Sequence, residues 1–324
     1  MPALPRLSDV LAASKTIAKM TVPTPLFASA LSGITGFPVW LKLETLHPTG
    51  SFKLRGATNA IGEISKEQRE RGVVCCSTGN HGRALAFVAR ENGVKATICL
   101  SKLVSEEKVR AVESLGAQVV RIGVSQDEAQ QETNRLVTAE GLIDIPPFDN
   151  FGVIAGQGTI GLELLADRPE LETILVPLSG GGLISGIAIA AKTIKPSIRI
   201  VGISMERGAA MAESLLAGKP VEVEEVASLA DSLGGGIGLN NRYTFSMCRD
   251  LVDDVVLLTE EEIFRGMQSV FFEDRLVAEG SSAVGHGAIL AGHIRPEGPT
   301  AIIISGQNVD MKQFADVMRT SGIS

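Results

Sequence analysis

From Gly72 onward the chain alternates short continuous apolar runs with stretches whose apolar residues recur every three or four positions. The runs Val73–Cys76, Ala96–Leu100, 118–122 and 142–145 predict strands. Between them, residues 81–91 and 106–115 predict helices, and Ser125 with Glu128 boxes the start of a third. Pro146-Pro147 closes this series, and a second follows. It reads helix 153–165, strand Thr173–Pro177, helix 183–192, strand 199–204, helix 242–251 and strand 255–258. A helix boxed by Thr259 and Glu262 comes next, then strand Thr300–Ile304 and a short helix from Val309. Ahead of Gly72, Ser8-Asp9 opens a helix to about Lys19, Pro23 and Pro25 break it, and residues 40–43 form a strand. Ser51 caps a helix over 54–64, and Ser65 with Gln68 boxes one more.

Strand–helix alternation with continuous apolar strands implies an α/β protein whose mostly parallel sheets are covered on both faces. Two such series imply two lobes, with boundaries near Gly72 and at Pro146-Pro147. A length of 324 residues with 44% hydrophobic content is enough for both cores. Net charge is −7, without a block of five or more like charges, which argues against nucleic-acid or anionic-membrane partners. The N-terminus has no basic flank followed by an apolar core, and no charge-free stretch is long enough to cross a bilayer. A cytoplasmic protein is expected. Cys75, Cys76, Cys99 and Cys248 lack metal-ligand spacing and the histidines are scattered, so reduced thiols and no metal site are expected.

Chemistry concentrates in one stretch and three turns. Lys53, in Thr49-Gly50-Ser51-Phe52-Lys53-Leu54-Arg55, falls in the first turn of the helix that Ser51 caps. The positive end of a helix disfavours an ammonium, and an amine of lowered pKa suits Schiff-base chemistry. A lysine beside a turn is in itself more often solvated surface. Ligands in open α/β sheets collect at the carboxyl ends of strands, where this chain has three unusual turns. Ser77-Thr78-Gly79-Asn80-His81-Gly82 offers hydroxyls, an amide, an imidazole and backbone N–H groups at a helix start, suited to a carboxylate or phosphate. Ser179-Gly180-Gly181-Gly182-Leu183 is a strand–glycine–helix turn able to wrap an anion. Ser305-Gly306-Gln307-Asn308 presents a hydroxyl after the last strand. A rival exists: Gly180, Gly182 and Ser185 fall on G-x-G-x-x-G with serine for the third glycine, and Glu206 lies where a ribose-binding acid would. A nicotinamide oxidoreductase is therefore an alternative, although it leaves Lys53 unexplained.

The strings TGSFKLRGATNA, STGNHGRALA, VIAGQGTIGLELL, VPLSGGGLISGIAIA, SLADSLGGGIGL, RDLVDDVVLLTEEEI and IIISGQNVD run in one order over nearly the whole chain. In this they resemble the threonine dehydratase and serine racemase branch of the fold-type II pyridoxal-phosphate enzymes. The resemblance implies a tryptophan synthase β-like fold of two three-layer α/β/α domains. Residues 1–70 and 149–324 would form the large cofactor-binding domain, and 71–148 the small substrate-binding domain. It implies pyridoxal 5'-phosphate as cofactor, Schiff-bonded to Lys53. Phe52 would pack beside the ring, Asn80 would meet the ring hydroxyl, and Ser179, Gly180, Gly181, Gly182 and Leu183 would cradle the phosphate. Ser305 would face the pyridine nitrogen, Glu279 would lie near the ring, and Ser77, Thr78 and His81 would hold the substrate carboxylate. The implied reaction is β-elimination of water from a 3-hydroxy amino acid, with Lys53 as base at Cα, in a homodimer.

Departures from the branch refine this. Thr78 stands where racemases carry a proton-relay serine, so inefficient racemisation is expected. Ser204 and Ala210 stand where a racemase-type divalent-metal site has acids, which implies no metal there unless Glu206 substitutes. Ala230-Asp231-Ser232 followed by Gly234-Gly235-Gly236 replaces Ala-Asp-Gly and implies altered substrate choice. SMERGAAM, SLGGGIGLNNR and SGQNVD are similar to the hydroxyectoine-utilisation dehydratases. Serine/threonine deaminases and 3-hydroxyaspartate ammonia-lyases are the near alternatives, and a non-catalytic ligand-binding relative is a remote one.

Overall fold

Continuous apolar runs buried on both faces become strands, and here they do so twice. The computed structural model describes residues 3–77 and 79–320. Among these residues the strands in chain order are β1 (Leu26–Ala28), β2 (Val39–Leu43), β3 (Val73–Cys76), β4 (Ala96–Leu100), β5 (Gln118–Arg121) and β6 (Ile143–Asp144). Then come β7 (Thr173–Pro177), β8 (Arg199–Met205), β9 (Asp254–Leu258) and β10 (Thr300–Ile304). One sheet has the order β1-β2-β10-β7-β8-β9, the other β5-β4-β3-β6. Every pairing is parallel except β1 with β2. The fold is α/β with two mostly parallel sheets.

The helices are α1 (Leu7–Ile17), α2 (Leu31–Thr35), α3 (Lys53–Glu63), α4 (Lys66–Arg71), α5 (Asn80–Glu91), α6 (Glu106–Glu113) and α7 (Gln126–Glu140). They continue with α8 (Phe151–Asp167), α9 (Gly182–Ile194), α10 (Ala210–Ala217), α11 (Thr244–Leu251), α12 (Glu260–Phe272), α13 (Gly280–Leu290) and α14 (Met311–Arg319). Alternate strand residues enter opposite cores, as the twofold period of a strand requires. Ile174 and Val176 of β7 join a core with α8 and α9, while Leu175 joins another with α12, α13 and α14. In the smaller sheet Val73 and Cys75 meet α3 and α5, and Val74 and Cys76 meet α7. α8 and α9 pack backbone to backbone. A methyl group on Gly186 would lie 2.4 Å from Ile154 O, and one on Gly158 would lie 2.8 Å from Gly186 O.

Three expected helix starts move, each for a hydrogen-bonding reason. α1 begins at Leu7 on Arg6, and Asp9 is its third residue, accepting the Arg6 N–H at 2.8 Å, so Ser8 and Asp9 are not its cap. Ser51 does not cap α3. It is held in an antiparallel bridge to Gly306, which keeps it extended, and the cap position passes to Phe52, already helical at φ −57 and ψ −22. α11 begins at Thr244 because the Asp149 carboxylate takes the N–H groups of Arg242, Tyr243 and Thr244 at 2.6, 2.8 and 3.0 Å. α13 escapes the sequence pattern altogether. Gly280 through Ile289 are all buried, so no polar face marks its period.

Candidate active site

Lys53 is the first residue of α3, and three backbone contacts fix where it starts. Phe52 N donates to Ser305 O at 2.9 Å, Ser51 bridges Gly306, and Gln307 N donates to Gly50 O at 2.9 Å. Gly50 takes φ +73, a left-handed conformation that glycine adopts without a Cβ clash. The Lys53 ammonium donates to Pro147 O at 2.7 Å and lies 5.1 Å from the centroid of the Phe52 ring. Burial lowers its pKa from 10.5 to about 8, against an opposing pull from Glu279. Desolvation thus supplies the lowered amine basicity that was expected from the helix end.

The Ser179–Leu183 turn follows β7 and opens α9. Gly181 is the N-cap at φ +86, and no side chain among the described residues caps the helix. Its first-turn N–H groups are therefore left to another acceptor, as at an anion site. The turn has no room for side chains. A Cβ on Gly180 would lie 2.3 Å from Phe148 Cγ, on Gly181 2.8 Å from Cys248 Sγ, and on Gly182 2.9 Å from Phe148 O. Residues 147–149 join this turn to the lysine: Pro147 O receives Lys53, Phe148 lies on the glycines, and Asp149 caps α11. Pro146-Pro147, expected as a strand end and lobe boundary, leads into Phe148 and Asp149, which local pattern does not mark. No motif spacing could have found them, because their partners lie far along the chain.

Ser305 is buried, its hydroxyl 2.9 Å from the Ser282 hydroxyl, which also accepts Gly306 N at 2.7 Å. Glu279 opens α13 with a buried carboxylate that accepts from Asn80 Nδ2 at 2.8 and 3.1 Å and from Ser281 Oγ at 3.1 Å. Burial raises its pKa, with the Asn80 and Ser281 hydrogen bonds opposing. α5 starts at Asn80, one residue earlier than expected, so Asn80 and His81 both stand in its first turn. Ser77 Oγ accepts Gly82 N at 3.3 Å. Thr78 lies outside the described residues.

His81 departs from expectation. Its Nε2 is 2.7 Å from Ile145 O, so it carries the proton and donates. Burial and the charge of Lys53 push its pKa from 6.5 to about 3, so the ring is neutral. Nδ1 is then a buried lone pair with no partner among the described residues. Two acceptors repel, so this imidazole is unsuited to a carboxylate. Only the backbone N–H of His81, at the helix start, has the right polarity.

Below α3, a buried ionic cluster anchors the helix. Arg55 donates to Glu44 through Nε at 2.7 Å and to Glu163 at 2.5 and 2.8 Å. Lys42 reaches Glu163 at 2.6 Å, and His47 lies 3.0 Å from Glu44. Burial alone would raise Glu44, but the adjacent Arg55 charge and the bonds from His47 and Arg55 hold its carboxyl below the usual range. Among the described residues no three His, Cys, Asp or Glu side chains cluster as metal ligands.

Comparison with known proteins follows the same lines. Residues 17–306 match the family described as pyridoxal-phosphate dependent enzyme. A protein of Sinorhizobium fredii that carries a threonine dehydratase name is 50% identical over 96% of this chain and 95% of its own. The L-threonine ammonia-lyase of Thermotoga maritima is 39% identical over 95% of this chain and 77% of its own. Maize serine racemase superposes with a TM-score of 0.91 at 33% identity, covering 98% of each chain. These matches overturn the dinucleotide reading of the glycine turn. Consistent with that, Ser185, in the place of the third glycine, is buried with its hydroxyl 3.6 Å from Cys248 Sγ.

Proposed function

The chain belongs to the pyridoxal-phosphate dependent enzymes, and from that premise we propose a β-eliminating ammonia-lyase that removes water from a 3-hydroxy amino acid. One observation carries the reading. An amine of lowered pKa, an uncapped glycine turn and a buried hydroxyl are tied together by the Phe52–Ser305 bond and by Pro147-Phe148. The fit to the coenzyme is chemical as well as spatial. The turn offers backbone N–H groups to a phosphate and has no room for a Cβ at its three glycines, Lys53 offers an amine to an aldehyde, and Ser305 offers a neutral hydroxyl to a pyridine nitrogen.

Bound pyridoxal phosphate supplies an aldehyde that links to the substrate amine and a conjugated ring that accepts electron density from Cα. The chain supplies the rest. Ser179 to Leu183 would hold the phosphate, Phe52 would pack beside the ring, and Asn80 and Glu279 would border its hydroxyl edge. The first-turn N–H groups of α5, with Ser77, hold the substrate carboxylate, and Thr78 keeps the substrate-side role that the resemblance implies. Lys53, about 8 in pKa, is a free base often enough near neutral pH to take the Cα proton. Ser305 brings no negative charge to the ring nitrogen, which favours prompt loss of the β-hydroxyl. The released enamine becomes an imine, and its hydrolysis yields ammonia and a 2-oxo acid.

The relatives' names support threonine as substrate, and the likeness to maize serine racemase supports serine beside it. The finer proposal is a hydroxylated diamino acid from hydroxyectoine breakdown, supported by SMERGAAM, SLGGGIGLNNR and SGQNVD. We further propose a cytoplasmic homodimer, with residues 71–148 as the substrate-binding domain and the remainder as the cofactor-binding domain.

Purified protein should be yellow, and borohydride should fix the coenzyme on Lys53 by peptide mass mapping. Ammonia release measured over threonine, serine, 3-hydroxyaspartate and 3-hydroxy-2,4-diaminobutyrate ranks the substrates. A colourless protein, or full turnover in Lys53→Ala, would defeat the reading.

A further inference from the structure

Four polar side chains form one directed chain across the site. Arg83 donates to Asn308 Oδ1 at 2.7 Å, and Asn308 Nδ2 donates to Asn80 Oδ1 at 2.6 Å and to Thr49 O at 2.8 Å. Asn80 Nδ2 then shares one N–H between the two oxygens of Glu279, at 2.8 and 3.1 Å, and keeps its second N–H for another acceptor. A guanidinium only donates, so the Asn308 oxygen must face Arg83. The Asn308 amide nitrogen is thereby turned toward Asn80, which must present its oxygen there and its NH2 to Glu279. The ends impose one sense on the whole chain. Asn80 and Asn308 are 228 residues apart in sequence, and α5 and the turn after β10 meet through them.

The backbone is shaped to admit this chain. A Cβ on Gly50 would lie 2.8 Å from Asn308 Oδ1, and one on Gly306 would lie 2.6 Å from Glu279 Oε1 and 3.1 Å from Asn80 Nδ2. Both glycines border Lys53 or Ser305. The chain thus contacts the loop ahead of the lysine, the start of α5, the start of α13 and the turn holding Ser305.

We infer that Arg83 and Asn308 are positioning residues that orient the Asn80 amide, so that only N–H, never C=O, faces the coenzyme's ring oxygen. This rests on the proposed coenzyme site and deepens it. An N–H aimed at that oxygen stabilises its anionic form, which sets the proton distribution of the bound chromophore. Asn308→Asp replaces the donor to Asn80 with a repelling oxygen while keeping an acceptor for Arg83. Arg83→Ala removes the group that fixes the sense of the chain, and Arg83→Lys restores a donor.

The test uses the coenzyme-loaded enzyme and reads the visible-to-near-ultraviolet absorbance ratio, coenzyme dissociation, kcat, KM and melting temperature. Asn308→Asp and Arg83→Ala should shift the absorbance ratio and lower kcat by about 10- to 100-fold, the scale of a small misplacement at a reacting centre. KM and melting temperature should stay near wild type, and Arg83→Lys should recover most of both losses. Wild-type spectra and kcat in both Asn308→Asp and Asn308→Ala would overturn the inference, as would losses that follow melting temperature alone. A wild-type protein that takes up no coenzyme would instead overturn the function proposed above.

Discussion

Phe52 and Ser305 share a backbone hydrogen bond of 2.9 Å, so the residue ahead of the lysine hangs from the end of the central strand β10. β10 lies inside the sheet, paired on both edges by β2 and β7. The lysine is consequently placed by the sheet rather than by its own loop, and its half-buried side chain is held on Pro147 O. Burial sets its chemistry: with a pKa of about 8, Lys53 should react as a free amine well below the range of a surface lysine. Reductive methylation of coenzyme-stripped protein, followed residue by residue, should show Lys53 labelling rise with a midpoint near pH 8. The sign for stability follows. The folded pKa is below the unfolded 10.5, so between about 8 and 10.5 the unfolded chain binds the extra proton and stability rises with pH. Lys53→Met should flatten that rise.

Gly180→Ala should loosen coenzyme binding without unfolding the protein. The new methyl would sit 2.3 Å from Phe148 Cγ, and the ring, half-buried at the loop, is the part able to give way. Its movement shifts the turn and, through Pro147, the acceptor of Lys53. Coenzyme dissociation should rise by about tenfold or more, in keeping with the cost of misplacing a binding group. Phe148→Ala in the same chain should recover part of the loss, a coupling that a double-mutant cycle of coenzyme titrations measures.

What could be read in advance divides along physical lines. Ala96–Leu100, Thr173–Pro177 and Thr300–Ile304 form strands as expected, because continuous apolar runs bounded by glycine or polar residues leave little alternative. Lys53, the glycine turn and Ser305 were conspicuous because each lies at the start of a helix or just past the end of a strand. Ser51 misled, since its role as a cap was lost to a bridge with Gly306, 255 positions away and invisible to local pattern. Phe148, Asp149, Arg83 and Asn308 were missed for the same reason: their partners are tertiary. α13 was missed because complete burial erases the period that announces a helix.

His81→Gln should separate two roles that one residue could have held. Glutamine keeps an N–H donor for Ile145 O and removes the basic lone pair. Because the neutral imidazole offers no donor to a carboxylate, substrate KM should remain close to wild type. Stability should change instead. The folded pKa of about 3 lies below the unfolded 6.5, so as pH falls from 6.5 toward 3 the unfolded chain alone gains a proton and the native state loses ground. Urea melts at pH 7 and pH 4 should show a smaller acid-induced loss in His81→Gln than in wild type. A large rise in KM with an unchanged acid response would reverse this assignment.

Arg55 presents the opposite case, a charge whose value lies in what it neutralises. It is fully buried between Glu44 and Glu163, two residues beyond the lysine on the same helix. Arg55→Met leaves two carboxylates facing each other in the interior beside Lys42, and removal of one partner from such a cluster typically costs about 3–5 kcal/mol. Arg55→Lys should be nearly as harmful, since a single ammonium cannot reproduce the paired donation to Glu44 at 2.7 and 2.8 Å. The larger share of the loss is the exposure of unpaired charge to a low dielectric, not the absence of attraction. Adding Glu44→Gln to Arg55→Met should therefore restore stability rather than reduce it further, and equilibrium urea unfolding of the two variants decides the sign.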